Sequence, residues 1–209
     1  MRILAINPNT LVELAHAVAL TVHDRLPHQD VIAFCPTKGP TSIESEHDAW
    51  ESAWHCMEEL GNLPGTMDGI IVACYSDHPL IPVLRDRFDK PVIGILQASL
   101  RAADNYGMSP FIVTSGDGWI PVLSEYLSHR SQEGLVRAVH ASAAHLFSNT
   151  AGTVDAIRRE ILEVDNSGNY ALCLGCAAMA GLAGKIAPFW PHPVIDGVEA
   201  AAEWIEEML

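Results

Sequence analysis

Two stretches of this chain echo each other at a fixed interval, and that interval limits the folds open to it. Cys74 and Cys176 stand 102 residues apart, and Pro91-Val92-Ile93 and Pro193-Val194-Ile195 are separated by the same 102 residues. Each cysteine is therefore followed by its own Pro-Val-Ile after 17 positions. An alanine-bearing helix start comes next in both places, Gln97-Ala98-Ser99 and Glu199-Ala200-Ala201. The halves also open alike: Asn7, within Ile6-Asn7-Pro8-Asn9-Thr10, lies 67 residues before Cys74, and Thr114, within Thr114-Ser115, lies 62 residues before Cys176. Such a repeat predicts two pseudo-symmetric lobes, the first of residues 1–95 with 196–209 and the second of residues 96–195. Facing each other, they place equivalent strand tips on the two walls of one cleft.

The local pattern says what each lobe is made of. Ile70-Ile71-Val72-Ala73-Cys74 is an apolar, β-branched run with small and polar residues directly after it, as expected of a central parallel strand covered on both faces. Similar runs predict strands at 2–6, 30–35, 90–95, 111–116, 135–139, 170–176 and 194–196. Helical spacing between them predicts helices at 10–25 with Thr10 as N-cap, 46–60, 79–88, 97–106 with Gly107 as C-cap, 119–127, 152–164, 177–186 and 198–208. In the second helix Trp50, Trp54 and Met57 fall on one face and are expected in the core, with Cys56 off that stripe. Strand and helix alternate throughout, so the class is α/β, with right-handed crossovers between parallel strands. Ligands in such sheets bind beyond the carboxyl ends of the strands, where Asn7, Cys74, Thr114 and Cys176 all fall.

Composition narrows the partners. With 26 acidic against 12 basic residues, the formal charge of −14 disfavours nucleic acid and anionic membrane surfaces, leaving a small molecule as the expected partner. No run approaches a membrane span and the first residues do not resemble a signal peptide, so the expected location is the cytoplasm. Five cysteines, Cys35, Cys56, Cys74, Cys173 and Cys176, then read as reduced thiols.

A lone strand-end cysteine is most simply a small core residue. A matched pair at equivalent tips, each ahead of an expected helix N-terminus that favours thiolate, points to chemistry. Cys173 and Cys176 also form Cys-x-x-Cys, but Cys173 falls inside its strand and no second ligand pair suggests zinc. Cys35 and Cys56 read as buried bystanders. The ten histidines show no ligand spacing, and only His78 falls near the chemistry, so neither metal nor organic cofactor is expected. Two thiols across a cleft suit proton abstraction from one face of a carbon and proton return to the other, which inverts the centre. The carbanion needs hydrogen-bond donors, for which Asn7, Ser76, Thr114 and the backbone amides after each cysteine, at Tyr75 and Ala177, are placed. Ser42 and Ile43, in the loop of residues 36–45, are the candidates for contact from above.

The stretches Ile6-Asn7-Pro8-Asn9-Thr10, Gly39-Pro40-Thr41-Ser42-Ile43-Glu44, Ala73-Cys74-Tyr75-Ser76-Asp77, Leu174-Gly175-Cys176-Ala177-Ala178-Met179 and Pro193-Val194-Ile195-Asp196-Gly197-Val198 resemble the cofactor-independent aspartate/glutamate/hydantoin racemase superfamily. They are most similar to its hydantoin and allantoin racemases. The resemblance implies Cys74 and Cys176 as the two acid/base residues, a two-lobed α/β fold, frequent homo-oligomerisation and a cyclic ureide as substrate. An amino-acid racemase or a related isomerase or decarboxylase is the nearest alternative. A non-catalytic small-molecule binding protein is the alternative of another class, motivated by His78 and Gln97, which depart from the superfamily's pattern.

Overall fold

The computed structural model describes residues 1–165 and 168–209. In chain order the first half runs β1 (Arg2–Ile6), α1 (Val12–Arg25), β2 (Asp30–Phe34), α2 (Glu46–Leu60), β3 (Gly69–Val72), α3 (Leu80–Arg87), β4 (Val92–Gly94) and α4 (Ile95–Asn105). The second half runs β5 (Ser109–Thr114), α5 (Trp119–His129), β6 (Leu135–Ala138), α6 (Ala143–Ser148), α7 (Thr150–Leu162), β7 (Tyr170–Gly175), α8 (Ala183–Ile186), β8 (Val194–Asp196) and α9 (Gly197–Met208). Among the described residues the strands form two parallel four-stranded sheets, ordered β2-β1-β3-β4 and β6-β5-β7-β8. The protein is thus a two-lobed α/β structure.

The sequence repeat is also a repeat of strand register. Val72 pairs with Gly94 and Leu174 with Asp196, each partner displaced by 102 residues from its counterpart. Ile6 pairs with Val72, and Val113 with Leu174. Asn7 is therefore equivalent to Thr114, and Pro8 to Ser115. Beyond their first residues the central strands are buried, with Leu4, Ile6, Ile70 and Val72 in one sheet and Phe111, Val113, Leu172 and Leu174 in the other at 0–1% exposure. Burying each such side chain contributes roughly 1.5–3 kcal/mol, so their positions are strongly fixed.

The helices that follow the equivalent strands β4 and β8 pack on each other. α4 also lies against β5, β7 and β8, and α9 against α1, β3 and β4. The approach is closest at Gly197, where a Cβ would come within 2.9 Å of Ser99 Oγ and 3.0 Å of the Ile95 carbonyl.

Several sequence expectations need correction. Trp50 and Trp54 are 65% and 67% exposed, whereas Ala49, Ser52, Ala53, Cys56 and Leu60 form the buried face of α2. Ala53, Cys56 and Leu60 of that face join Leu4, Ile6, Ile70 and Val72 in one apolar cluster, and the indoles are left outside. Thr10 is not the N-cap of α1: Asn9 Oδ1 accepts from the Leu11 amide at 3.0 Å, and the Thr10 amide donates to the Pro40 carbonyl at 3.1 Å. The helix expected over 177–186 is interrupted, with a short 3-10 turn at Ala177–Met179 and α8 beyond it. Gly181 separates them at φ 75°, a left-handed conformation that suits glycine, and its amide donates to Asp196 Oδ2 at 2.6 Å. α6 was not anticipated; Ser142 caps it by accepting from the His145 amide at 3.3 Å. No helix among the described residues is long and apolar enough to cross a membrane.

Candidate active site

The carboxyl ends of β1, β3, β5 and β7 converge on one small cavity of about 40 Å3. Asn7 and Pro8 enter from beyond β1, Ala73 and Cys74 from beyond β3, Thr114 and Ser115 from β5, and Gly175 and Cys176 from β7. The two expected cysteines therefore line the same space, one from each sheet. Its volume exceeds the roughly 10–15 Å3 that one water needs. Ile43 covers it from the loop after β2, and its carbonyl accepts from Trp119 Nε1 at 3.1 Å. That bond ties a loop of the first half to the start of α5 in the second.

Burial, rather than helix dipoles, sets the state of the thiols. Cys176 is followed only by the three-residue 3-10 turn, and Cys74 is separated from α3 by an irregular stretch, so the expected stabilisation by helix N-termini is weak at both. Each cysteine keeps partial exposure, yet its surroundings push the Cys74 thiol from 9.0 up to about 12 and the Cys176 thiol up to about 11. Hydrogen bonding opposes this unequally. Ser76 Oγ lies 3.4 Å from Cys74 Sγ. At Cys176 the Ala178 amide and the Ser115 hydroxyl both favour the thiolate. A negative charge on Cys176 further disfavours ionisation of Cys74, so a pair with one thiolate and one thiol is favoured over two thiolates.

The other expected residues divide. Asn7 is fully buried; its Nδ2 donates to Asn9 Oδ1 at 2.6 Å and to the Leu11 carbonyl at 3.0 Å, which leaves Oδ1 as a buried acceptor without a protein partner. Thr114 lines the cavity, but its hydroxyl donates to the Gly175 carbonyl at 3.0 Å, so it offers only lone pairs inward. Tyr75 and Ala177 line the cavity as well. The Tyr75 phenol lies away among Ser99 and Cys173, without a hydrogen bond of normal geometry, and burial raises its pKa well above 10.0. Ser42 stands outside the lining; its Oγ accepts from the Ala144 amide at 3.4 Å and ties the covering loop to α6.

Ser115, Trp119, Asn9, Leu14 and Ala143 are lining residues that the sequence reading missed. Ser115 was findable, being the repeat equivalent of Pro8. Trp119 had no such signal, since an aromatic at a helix start reads as core. The two departures, His78 and Gln97, lie outside the lining. The Leu80 amide donates to His78 Nδ1 at 3.2 Å, which puts the ring proton on Nε2, 3.0 Å from Ser52 Oγ; burial lowers the histidine to about 4. It is a neutral link between α2 and α3. Gln97 Nε2 donates to Asp77 Oδ1, and its Oε1 accepts from Arg85, both at 3.2 Å. Cys173 is fully buried with its thiol pushed up to about 12, and the described residues hold no group of three or more metal-ligating side chains.

Two matched parallel sheets with a small cavity between their carboxyl ends, lined by a cysteine from each, define a two-lobed α/β protein with its candidate site between the lobes. The sequence model of the Asp/Glu/hydantoin racemase family matches residues 3–205, and the chain belongs to that family. It is 30% identical to the hydantoin racemase of Rhizobium meliloti over 216 residues, covering all of this chain and 89% of that one. An uncharacterised protein of Schizosaccharomyces pombe is 33% identical over 219 residues, covering all of this chain and 92% of the relative. The crystal structure of allantoin racemase from Pseudomonas fluorescens superposes with a TM-score of 0.90 at 27% identity, covering all of this chain and 90% of that one.

Proposed function

We propose that this chain racemises or epimerises a five-membered cyclic ureide, a 5-substituted hydantoin or allantoin, with Cys74 and Cys176 as acid and base. The observation that carries the reading is the placement of both thiols, from equivalent strand tips, on one small cavity. A thiolate on one side takes the proton from the acidic ring carbon, and the C–H electron pair spreads onto the adjacent ring carbonyl. The thiol on the other side returns a proton to the opposite face. Proton and charge have then changed places between the two sulfurs, and the reverse reaction starts from the product state.

An uncharged substrate fits the walls. None of the lining residues carries a charged side chain, and an amino acid or a malonate would bring a carboxylate into that space without a cationic partner, at a cost of several kcal/mol. A cyclic ureide brings instead ring N–H donors, the kind of group that the unpartnered Asn7 Oδ1 lacks. The backbone amides after each cysteine, at Tyr75 and Ala177, supply donors for the developing oxyanion, while the hydroxyls of Ser76 and Ser115 serve the sulfurs. Ile43, Tyr75, Thr114 and Ala177 shape the remaining wall, and Ser42 holds the covering loop.

We assign residues 1–95 with 196–209 to one lobe and 96–195 to the other, supported by the packing of α9 on β3 and α4 on β5 and β7. A cytoplasmic homo-oligomer agrees with five free cysteines and with the exposed indoles of Trp50 and Trp54.

Loss of optical rotation above an enzyme-free blank is measured for L- and D-5-substituted hydantoins, allantoin, aspartate and glutamate, with deuterium uptake at the reacting carbon. Ureides are expected to react and amino acids not. Cys74→Ser and Cys176→Ser are each expected to abolish racemisation, with exchange for one enantiomer surviving at most. Full activity in either variant would remove the two-thiol mechanism, and ligand binding without any exchange would make this a binding protein.

A further inference from the structure

The cavity between the thiols is one of two neighbouring spaces. A groove of about 470 Å3 runs beside it between α2, α3 and α5, lined by Trp50, Pro79, Pro82, Val122 and Tyr126 among others. Two residues connect the spaces. Trp119 lines both. Ser76 lines the groove, and its hydroxyl lies 3.4 Å from Cys74 Sγ. The groove therefore comes within one side chain of the reacting sulfur, and Trp119 is the lining residue that the two spaces share. It is 5% exposed and is pinned by its bond to the Ile43 carbonyl, on a residue that itself lines the cavity.

We propose that Trp119 is a specificity-determining residue that sets the upper size of the substituent on the reacting carbon. This rests on the racemase reading above and adds to it which ureides are accepted. A substituent on that carbon points away from the ring held between the thiols. In the 40 Å3 cavity it meets the indole after a short distance; with the indole trimmed, it enters the 470 Å3 groove. Apolar and aromatic side chains line the groove together with Glu46, Asp77 and Glu125, and the former are surroundings that an uncharged aryl substituent would take. The wild type is accordingly selective for small substituents, and its selectivity resides in a side chain that takes no part in proton transfer.

The test compares racemisation of 5-methylhydantoin and 5-benzylhydantoin by the wild type, Trp119→Ala, Trp119→Leu and Trp119→Phe. The expected result is a preference of the wild type for the methyl compound and a rise of at least about tenfold in the benzyl-to-methyl ratio of kcat/KM for Trp119→Ala, with a smaller rise for Trp119→Leu, in line with the value of a few methylenes of pocket space. Trp119→Phe removes the Ile43 bond but keeps an aromatic wall, so its ratio stays within about threefold of wild type. Folding is followed by circular dichroism, and Trp119→Leu decides the matter where Trp119→Ala does not fold. A folded Ala or Leu variant that racemises the methyl compound with an unchanged ratio overturns the proposal, as does a Phe variant whose ratio shifts as far as that of Ala. A folded variant inactive on both compounds overturns it too, since the indole would then serve the reaction itself. A wild type that racemises no ureide overturns the reading of the reaction, and this inference falls with it.

Discussion

Replacing Ser115 by alanine separates the two thiols. The Ser115 hydroxyl and the Ala178 amide each favour the Cys176 thiolate, and alanine at 115 withdraws the first of them. A hydrogen bond to a charged acceptor is worth about 1.5–3 kcal/mol, and about 1.4 kcal/mol corresponds to one pH unit. The substitution should therefore raise the Cys176 titration above its present value of about 11 by about one to two pH units, while Cys74, bonded to Ser76, is left nearly where it is. Alkylation by iodoacetamide requires the thiolate, so its rate at a fixed pH below the titration follows the ionised fraction. Mass spectrometry of the peptides containing Cys74 and Cys176, sampled over time at pH 8, should show Cys176 slowed by about 10–100-fold in Ser115→Ala and Cys74 by less than about threefold. Ser76→Ala should invert the pattern. Equal slowing of both cysteines, or of neither, would refute the argument that local donors distinguish the two sulfurs.

Two stability predictions follow from buried ionisable groups. Cys74, Cys173 and Cys176 titrate at about 11–12 in the folded protein against 9.0 ordinarily. Above pH 9 the unfolded chain therefore loses protons that the folded one keeps, and stability falls as pH rises, by up to about 1.4 kcal/mol per pH unit for each thiol. Urea unfolding between pH 8.5 and 10.5 should show this decline, made shallower by Cys173→Ala; an identical slope in that variant contradicts it. Asp196→Ala removes the acceptor of the Val198 amide at 2.9 Å and of the Gly181 amide at 2.6 Å. Loss of the cap on α9 and of the tie to the Gly181 turn should cost about 2–4 kcal/mol, or roughly ten degrees in Tm by calorimetry, and a change under about two degrees would count against it.

The architecture was legible because burial writes itself into β-branched runs, and because the 102-residue repeat is a repeat of register. What was misread concerns which face of an element is covered. In α2 the large apolar residues Trp50 and Trp54 suggested the inner face, but the covered face is that of Ala49, Ser52, Ala53, Cys56 and Leu60. Side-chain size alone does not encode that choice. The break at Gly181 likewise depends on Asp196, 15 residues away in sequence, which accepts the glycine's amide.

The site was legible to the extent that it obeys the repeat, and illegible where the two lobes differ. Equivalence by register located Cys74 and Cys176, Asn7 and Thr114. It also pairs Pro8 with Ser115, and there the lobes part: proline has no hydroxyl to give Cys74, whose donor comes from Ser76, two residues further along its own loop. Ala178 stands at the same offset from Cys176, and there the backbone amide favours the thiolate. One thiol is thus served by a side chain of its own loop, the other by its own loop's backbone and a strand-end serine. In the two-thiol reaction proposed above, mirror-image substrates have an equilibrium constant of one, so the net reaction asks for no preference between the sulfurs. The local groups favour charge on Cys176 all the same, and under that proposal the difference lies in how the two half-reactions divide between binding and turnover. Measured separately for each enantiomer, kcat and KM should differ while their ratios agree.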